Sequence, residues 1–242
     1  MDAVAILPVK RFDRAKQRLS EALGPETRAA LAEAMLRDVL LALARVTGLQ
    51  RTIVVTGEPR AAALAGFFGA EVVADDRDAG QSAAAGLGLA RARSLGAGRA
   101  LLVPGDCPAV DPEEVTALLA RHMAAPAVAI VPDRHGTGTN ALLLAPPDAI
   151  QPAFGPGSRA RHESLARAAG VEPAVEPLES LAYDVDTGAD LEALRAELDR
   201  RKGERLATTA MLDALARGEG PREAYAAALA GAEPAPPRPP RS

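Results

Sequence analysis

Carboxylates stand in this chain where a metal-assisted reaction on a phosphate would need them. Asp106 lies in Val103-Pro104-Gly105-Asp106-Cys107-Pro108, directly after the apolar run Ala100 to Val103. A carboxylate at the end of a buried strand, with Gly105 permitting close backbone approach, suits Mg²⁺. That ion takes one or two carboxylates and completes its shell with substrate oxygens. The alternative is that Asp106 opens a turn before Pro108. Asp184 and Asp186 sit two residues apart in Tyr183-Asp184-Val185-Asp186-Thr187-Gly188, and in an extended segment alternate side chains share a face. Either they join Asp106 around the metal, or Asp186 and Thr187 cap the helix that follows. Asp184 is assigned to the metal, and Asp186 to a supporting or capping role.

Anion-binding groups lie in other loops. Lys10, Arg11, Arg14, Lys16 and Arg18 place five cations within nine residues, right after the apolar run ending at Pro8. Such a loop either holds a polyphosphate or is a solvated basic turn; it carries no Gly-rich Walker pattern. Gly136-Thr137-Gly138-Thr139-Asn140 and Gly155-Pro156-Gly157-Ser158-Arg159-Ala160-Arg161-His162 combine free backbone amides with hydroxyls. The second also opens a helix, whose positive N-terminus favours an anion. Turn plus N-cap is the plain reading of each. In Asp75-Asp76-Arg77-Asp78-Ala79-Gly80-Gln81-Ser82, Gln81 and Ser82 are candidates for a base or ribose, while the aspartates favour the next helix start. Of the three histidines only His162 falls near a candidate site, and no hydrolase triad or His metal spacing is visible.

Short apolar runs alternating with helical stretches must position these loops. Strands are expected at Val4 to Pro8, Thr52 to Thr56, Glu71 to Ala74, Ala100 to Val103, Val128 to Val131, Asn140 to Leu144 and Leu181 to Val185. Helices are expected at Pro25 to Val46, Pro59 to Phe68, Ser82 to Leu95, Asp111 to Met123, Ala160 to Ala169 and Ala189 to Arg201. This order implies βαβ units and a mostly parallel sheet flanked by helices, an α/β fold whose ligands collect at the carboxyl ends of its strands. Residues 1–202 are expected to form one domain. Residues 203–242 form a C-terminal appendage, with helices at Glu204 to Arg217 and Arg222 to Leu229 and a Pro-rich, disordered end from Gly231 to Ser242.

Composition narrows the function. The net charge is −4 with both signs interspersed, so no basic stripe awaits a nucleic acid. Aromatic residues make up 2% and Trp is absent, so the core must be aliphatic. The single cysteine, Cys107, excludes an internal disulfide and a Cys-based zinc site. No apolar run reaches the ~18–20 residues that span a bilayer, and no signal peptide opens the chain. A cytoplasmic protein without membrane or nucleic-acid partners is the expectation.

Pro8-Val9-Lys10 with Ala15-Lys16-Gln17-Arg18-Leu19, Gly105-Asp106-Cys107-Pro108, Gly136-Thr137-Gly138-Thr139, Phe154 through His162, and Asp184-Val185-Asp186-Thr187 occur in one order. Together they resemble the 2-phospho-L-lactate guanylyltransferase family of coenzyme F420 biosynthesis, over about residues 3 to 195. The resemblance implies a GT-A-like, Rossmann-like nucleotidyltransferase fold. It also implies transfer of GMP from GTP to a phosphorylated three-carbon acid, with release of pyrophosphate. Bacterial members are described as using phosphoenolpyruvate or 3-phosphoglycerate, and phosphoenolpyruvate ranks first here, before 2-phospho-L-lactate and 3-phospho-D-glycerate.

Carried over by motif, Asp106 and Asp184 would hold Mg²⁺, and Thr139, Gly155 and Ser158 would contact the acid. Lys10, Lys16 and Arg18 would embrace the GTP phosphates and act with Asp106 in catalysis, with Gly105, Gln81 and Ser82 on the nucleotide. Where relatives usually show Leu-Asn before the small-residue helix, this chain has Gln81-Ser82. A downstream transferase of the same route would receive the product. Two other readings compete. One is a sugar- or alcohol-phosphate nucleotidyltransferase using CTP or UTP, whose usual Gly-rich opening loop is missing. The other is a noncatalytic nucleotide-binding regulator.

Overall fold

The computed structural model describes residues 2–200 and 206–230. Its centre is a seven-stranded sheet: β1 (Ala3–Val9), β2 (Leu49–Thr56), β3 (Glu71–Ala74), β4 (Arg99–Leu102), β5 (Ala127–Pro132), β6 (Thr139–Ala145) and β7 (Ala174–Val175). The spatial order is β3-β2-β1-β4-β6-β5-β7. Pairings are parallel except those of β6, which runs antiparallel to both β4 and β5. The mostly parallel α/β expectation therefore holds, with one reversed strand.

The strands near the middle are apolar on both faces because helices cover both. Ala3, Ala5 and Leu7 of β1 point into one core with Leu36, Val39, Leu64 and Leu118. These come from α1 (Pro25–Leu43), α2 (Pro59–Phe67) and α4 (Pro112–Arg121). Val4 and Ile6 point the other way, into a core with Ala85 and Leu89 of α3 (Gln81–Ser94) and Ala166 of α5 (Ser158–Ala168). Side chains of 2% aromatic composition leave this packing to short aliphatic groups and close backbone approach. Gly88 shows how close: a Cβ there would fall 2.3 Å from Ile6 Cγ2, so α3 lies on β1 only because that position has no side chain.

Helix starts follow the sequence signals. Pro25, Pro59 and Pro112 each occupy a first turn, and Asp111 caps α4 by accepting the Glu113 N–H at 2.7 Å. One strand expectation fails. Residues 182–186 pair with no strand, and the last strand of the sheet is the short β7 upstream of them. A 3-10 turn, Glu179–Leu181, leads into that segment. Of the two residues offered as caps, Thr187 takes the role and Asp186 does not. In α6 (Gly188–Arg200) the Thr187 Oγ1 accepts the Asp190 N–H at 3.3 Å, and Asp190 Oδ2 accepts the Thr187 N–H at 2.7 Å, a reciprocal cap.

Beyond α6, α7 (Ala207–Ala216) and α8 (Pro221–Ala230) pack on the outer side of α1. Asp38 of α1 is buried there, and its two oxygens accept the N–H groups of Ala207 and Thr208, both at 2.8 Å. Those are first-turn amides that no residue within α7 could satisfy. Met211, Leu212, Ala224 and Ala228 join Leu31 and Met35 in a third cluster. The same cluster takes in Leu19, Ala109 and Val185, which flank the loops of the site. The expectation for Gly231 to Ser242, and residues 204–205 of the expected helix Glu204 to Arg217, lie outside the described residues.

Candidate active site

One cleft of about 620 Å³ opens along the carboxyl ends of β1, β3, β4 and β5. Because β6 is reversed, it meets this edge with its first residue, Thr139. The cleft brings together Lys10, Lys16, Arg18, Gln81, Gly105, Asp106, Thr139, Gly155, Ser158 and Asp184. Ser82 is not in the lining. Its Oγ accepts the Phe154 N–H at 2.9 Å, which fixes the loop across from it. The loop after β2 also stays behind the wall, where Glu58 accepts the Phe12 N–H at 3.0 Å and braces the cationic turn.

The charged corner is built around Lys16. Its side chain is 6% exposed, its ammonium donates to Asp106 Oδ2, and Asp186 Oδ1 lies 3.7 Å away. Lys16 adopts a left-handed backbone, φ 55°, unusual for a residue with a side chain. The ion pair holds it there. Burial works against the ammonium, but Asp106 and then Asp186 outweigh it and hold the Lys16 pKa above the ordinary value. Asp184 feels the opposite balance: burial, then the neighbouring Asp106 charge, push its carboxyl up to about 6. That repulsion means the two carboxylates share one neighbourhood.

Asp184 reaches the corner through a side chain rather than through strand pairing. Asn140 Nδ2 donates to Leu181 O at 2.7 Å and to Asp184 Oδ1 at 3.1 Å, pinning the unpaired segment to the start of β6. Asn140 was part of a quoted motif but had no role assigned from sequence. Asp184 and Asp186 come to the same corner: Asp186 lies 3.7 Å from the Lys16 ammonium, and Asp184 feels the charges of Asp106, Asp186 and Lys16. Cys107, wholly buried next to them, has its thiol pushed well up by burial and then by Asp106, so it offers no thiolate. Among the described residues no group of three or more His, Cys, Asp or Glu forms a ready metal-ligand set.

The two flanks of the corner differ. On one side Lys10 and Arg18 are exposed to the cleft without an ion pair among the described residues, so both are open to an anion. Arg14 is committed: it reaches Asp78 Oδ2 at 3.1 Å and ties the cationic turn to the acidic loop before α3. On the other side the wall is neutral apart from Asp133, whose carboxylate accepts the Thr137 N–H at 2.9 Å. Thr139 and Ser158 are buried hydroxyls, and Gly155, at φ +110°, turns the chain so that residues 155–157 line the cleft. The arginines of α5 do not enter it. Arg161 donates to the carbonyls of Ala153, Phe154 and Pro156, and Arg159 to Gly136 O at 3.1 Å. They hold loops instead.

Residues 3–202 match the family described as "Guanylyl transferase CofC like". The chain belongs to this family. A phosphoenolpyruvate guanylyltransferase of Conexibacter woesei is 48% identical over 218 residues, covering 90% of this chain and 98% of the relative. One from Sphaerobacter thermophilus is 39% identical, covering 80% and 93%. Among solved structures, a protein of Desulfovibrio desulfuricans assigned as a nucleotide-diphospho-sugar transferase superposes with a TM-score of 0.71 at 20% identity, covering 95% of this chain and 98% of that one. A 4-diphosphocytidyl-2C-methyl-D-erythritol synthase gives 0.59 at 15%, covering 81% and 99%. The family's chain thus has the GT-A-like nucleotidyltransferase fold, and in this member no described helix is long and apolar enough to cross a membrane.

Proposed function

We propose that this chain is an Mg²⁺-dependent guanylyltransferase that moves GMP from GTP to the phosphate of phosphoenolpyruvate and releases pyrophosphate, as a step of coenzyme F420 biosynthesis. The observation that carries this is the Asp106–Lys16–Asp184 corner, set between open cations on one flank and a hydroxyl-lined wall on the other. The choice of nucleotide and acid rests on the relatives that carry the same activity in their names.

Asp106 and Asp184 supply two carboxylates that repel one another, which a divalent cation would relieve, and phosphate oxygens would complete its shell. Bound there, the ion would supply charge neutralisation at the α-phosphate. The protein's part is positioning. Lys10, Lys16 and Arg18 draw negative charge off the triphosphate, and Gly105 and Gln81 line the nucleotide's side of the cleft. Thr139, Ser158 and the Gly155 backbone hold the acid so that its phosphate oxygen attacks the α-phosphorus in line. That oxygen is already ionised near neutral pH, so no side chain has to remove a proton. The α-phosphorus bond to the bridging oxygen breaks, and pyrophosphate leaves with that oxygen. The guanylated product is a reactive phosphoric anhydride and passes to a downstream transferase.

The test is a panel: GTP, CTP and UTP, each with Mg²⁺ and with phosphoenolpyruvate, 2-phospho-L-lactate or 3-phospho-D-glycerate, read as pyrophosphate release. Release with GTP and phosphoenolpyruvate is expected. Release only with CTP or UTP, or GTP binding without turnover on any acid, would overturn the reading.

A further inference from the structure

His162 is fully buried on α5, behind the neutral wall, and has no place in the chemistry described so far. Its two ring nitrogens face two different parts of that wall. Nε2 lies 2.8 Å from the Ala153 backbone nitrogen, and Nδ1 lies 3.0 Å from Thr139 Oγ1. A backbone amide can only donate, so Nε2 must carry the lone pair. The neutral ring then has its proton on Nδ1 and donates it to Thr139 Oγ1. Thr139 therefore accepts from behind, and its own proton is left to turn into the cleft. Among the described residues that hydroxyl meets no other partner.

The arrangement is held from several directions. The Phe154 ring packs edge-on to the imidazole, with centroids 5.2 Å apart. Arg161 fastens the carbonyls of the same loop, so the His162 ring and the Ala153 amide move as one piece. Burial, with a smaller push from the Arg161 charge, lowers the His162 pKa to about 4, which keeps the ring neutral near pH 7. A ring that never charges there is a poor proton shuttle and a dependable donor.

We propose that His162 is a positioning residue for the acid substrate: fixed as the Nδ1–H form, it keeps the Thr139 hydroxyl proton available to the substrate anion while its Nε2 anchors the loop that starts at Ala153. In the other tautomer the hydroxyl would spend its proton on the ring and could meet the anion only with a lone pair; with Nδ1 protonated that proton is never spent on the imidazole. The proposal rests on the reading of the cleft as an acid-substrate site, and it assigns selectivity for an anion over a neutral alcohol to this pair.

Two measurements test it separately. The first is the ¹⁵N spectrum of the imidazoles in the substrate-free protein, where three histidines give few signals and the His162→Asn variant identifies the one that matters. Nδ1 protonated and Nε2 bare at neutral pH is expected; the Nε2–H form or an imidazolium overturns the proposal whatever the substrate proves to be. The second is kinetic, with GTP and phosphoenolpyruvate. His162→Phe keeps the ring shape and loses both hydrogen bonds, so KM for the acid should rise about ten- to a hundredfold with KM for GTP within about twofold. His162→Asn returns a donor near Nδ1 and should recover part of that loss only while Thr139 is present. In a Thr139→Val background the Phe and Asn variants should be equal. Equal rises in both KM values, or additive losses in the Thr139→Val background, would overturn the pairing. Absence of wild-type turnover with any acid would instead sink the guanylyltransferase reading and leave the spectrum to decide this one.

Discussion

The two walls of the cleft solve opposite problems. The Asp106–Lys16–Asp184 corner packs like and unlike charges together under partial burial, so the Asp184 carboxyl and the Lys16 ammonium are pushed above their ordinary pKa values. The Thr139–His162–Ser158 wall presents hydroxyls and backbone to the cleft, with Asp133 as the carboxylate at its edge, and its buried imidazole is held neutral. On the proposed reading, cations and metal-holding carboxylates gather where the phosphate reacts, and hydroxyl donors where the small acid has only to be oriented. A neutral donor holds an anion without the desolvation cost of burying a second charge. Substitutions on the two walls should therefore differ in which kinetic constant they move.

The largest effect belongs to the charged corner. Asp106→Asn should lower kcat with GTP and phosphoenolpyruvate by about a thousandfold, the several kcal/mol expected for lost charge stabilisation; turnover near wild type in a pyrophosphate assay would remove Asp106 from the metal role. Lys16→Met should reduce kcat/KM for GTP about a hundredfold, since it strips a buried cation from Asp106 and Asp186. If only KM for the acid changed, the division between the walls would be wrong. On the neutral wall Ser158→Ala should raise KM for the acid about tenfold and leave kcat nearly unchanged, one hydrogen bond to a charged group being removed; a fall in kcat alone would move Ser158 to the reacting phosphate.

The smallest effect on catalysis comes from outside both walls. Burial raises the Asp38 carboxyl from 3.8 to about 6, against the bonds from Thr208 and Ala207. A folded pKa above the unfolded one means the folded state binds more protons between those values. Stability from this group therefore falls as pH rises from about 4 to about 6 and is level above, by about 2–3 kcal/mol in all. Protection of the Ala207 and Thr208 amides, taken relative to their intrinsic exchange rates, should fall over that window in the wild type. In Asp38→Asn that fall in protection should vanish, and its persistence would place the titration elsewhere.

Most of the sheet was legible because apolar runs followed by Gly, Pro or Asp are strong local signals, and Asp106 was visible as the residue where such a run stops. The segment carrying Asp184 was read as a strand from its alternation. Alternation reports an extended backbone, not pairing, and here a single amide side chain, Asn140, replaces the neighbouring strand. The reversed β6 could not be seen either, since its direction is set by pairing with β4 and β5 rather than by its own residues. His162 was noticed only for its neighbourhood. Its function depends on which nitrogen meets a backbone amide nine residues earlier, a matter of tertiary placement. The motifs gave no sign that Ser82 would be spent on a loop amide instead of facing the cleft.

The helices α7 and α8 lie beyond the residues matched to the family, yet they share a packed cluster with Leu19, Ala109 and Val185. Each of those three sits within a few positions of a different strip of the charged corner: Arg18, Asp106, and the Asp184–Asp186 pair. The hairpin is thus a keystone for surfaces it does not enter. Whatever loosens it from Asp38 unlocks three strips of backbone in a single event, so damage to this remote clasp would surface as lost alignment at the phosphate rather than as gradual weakening of any one loop.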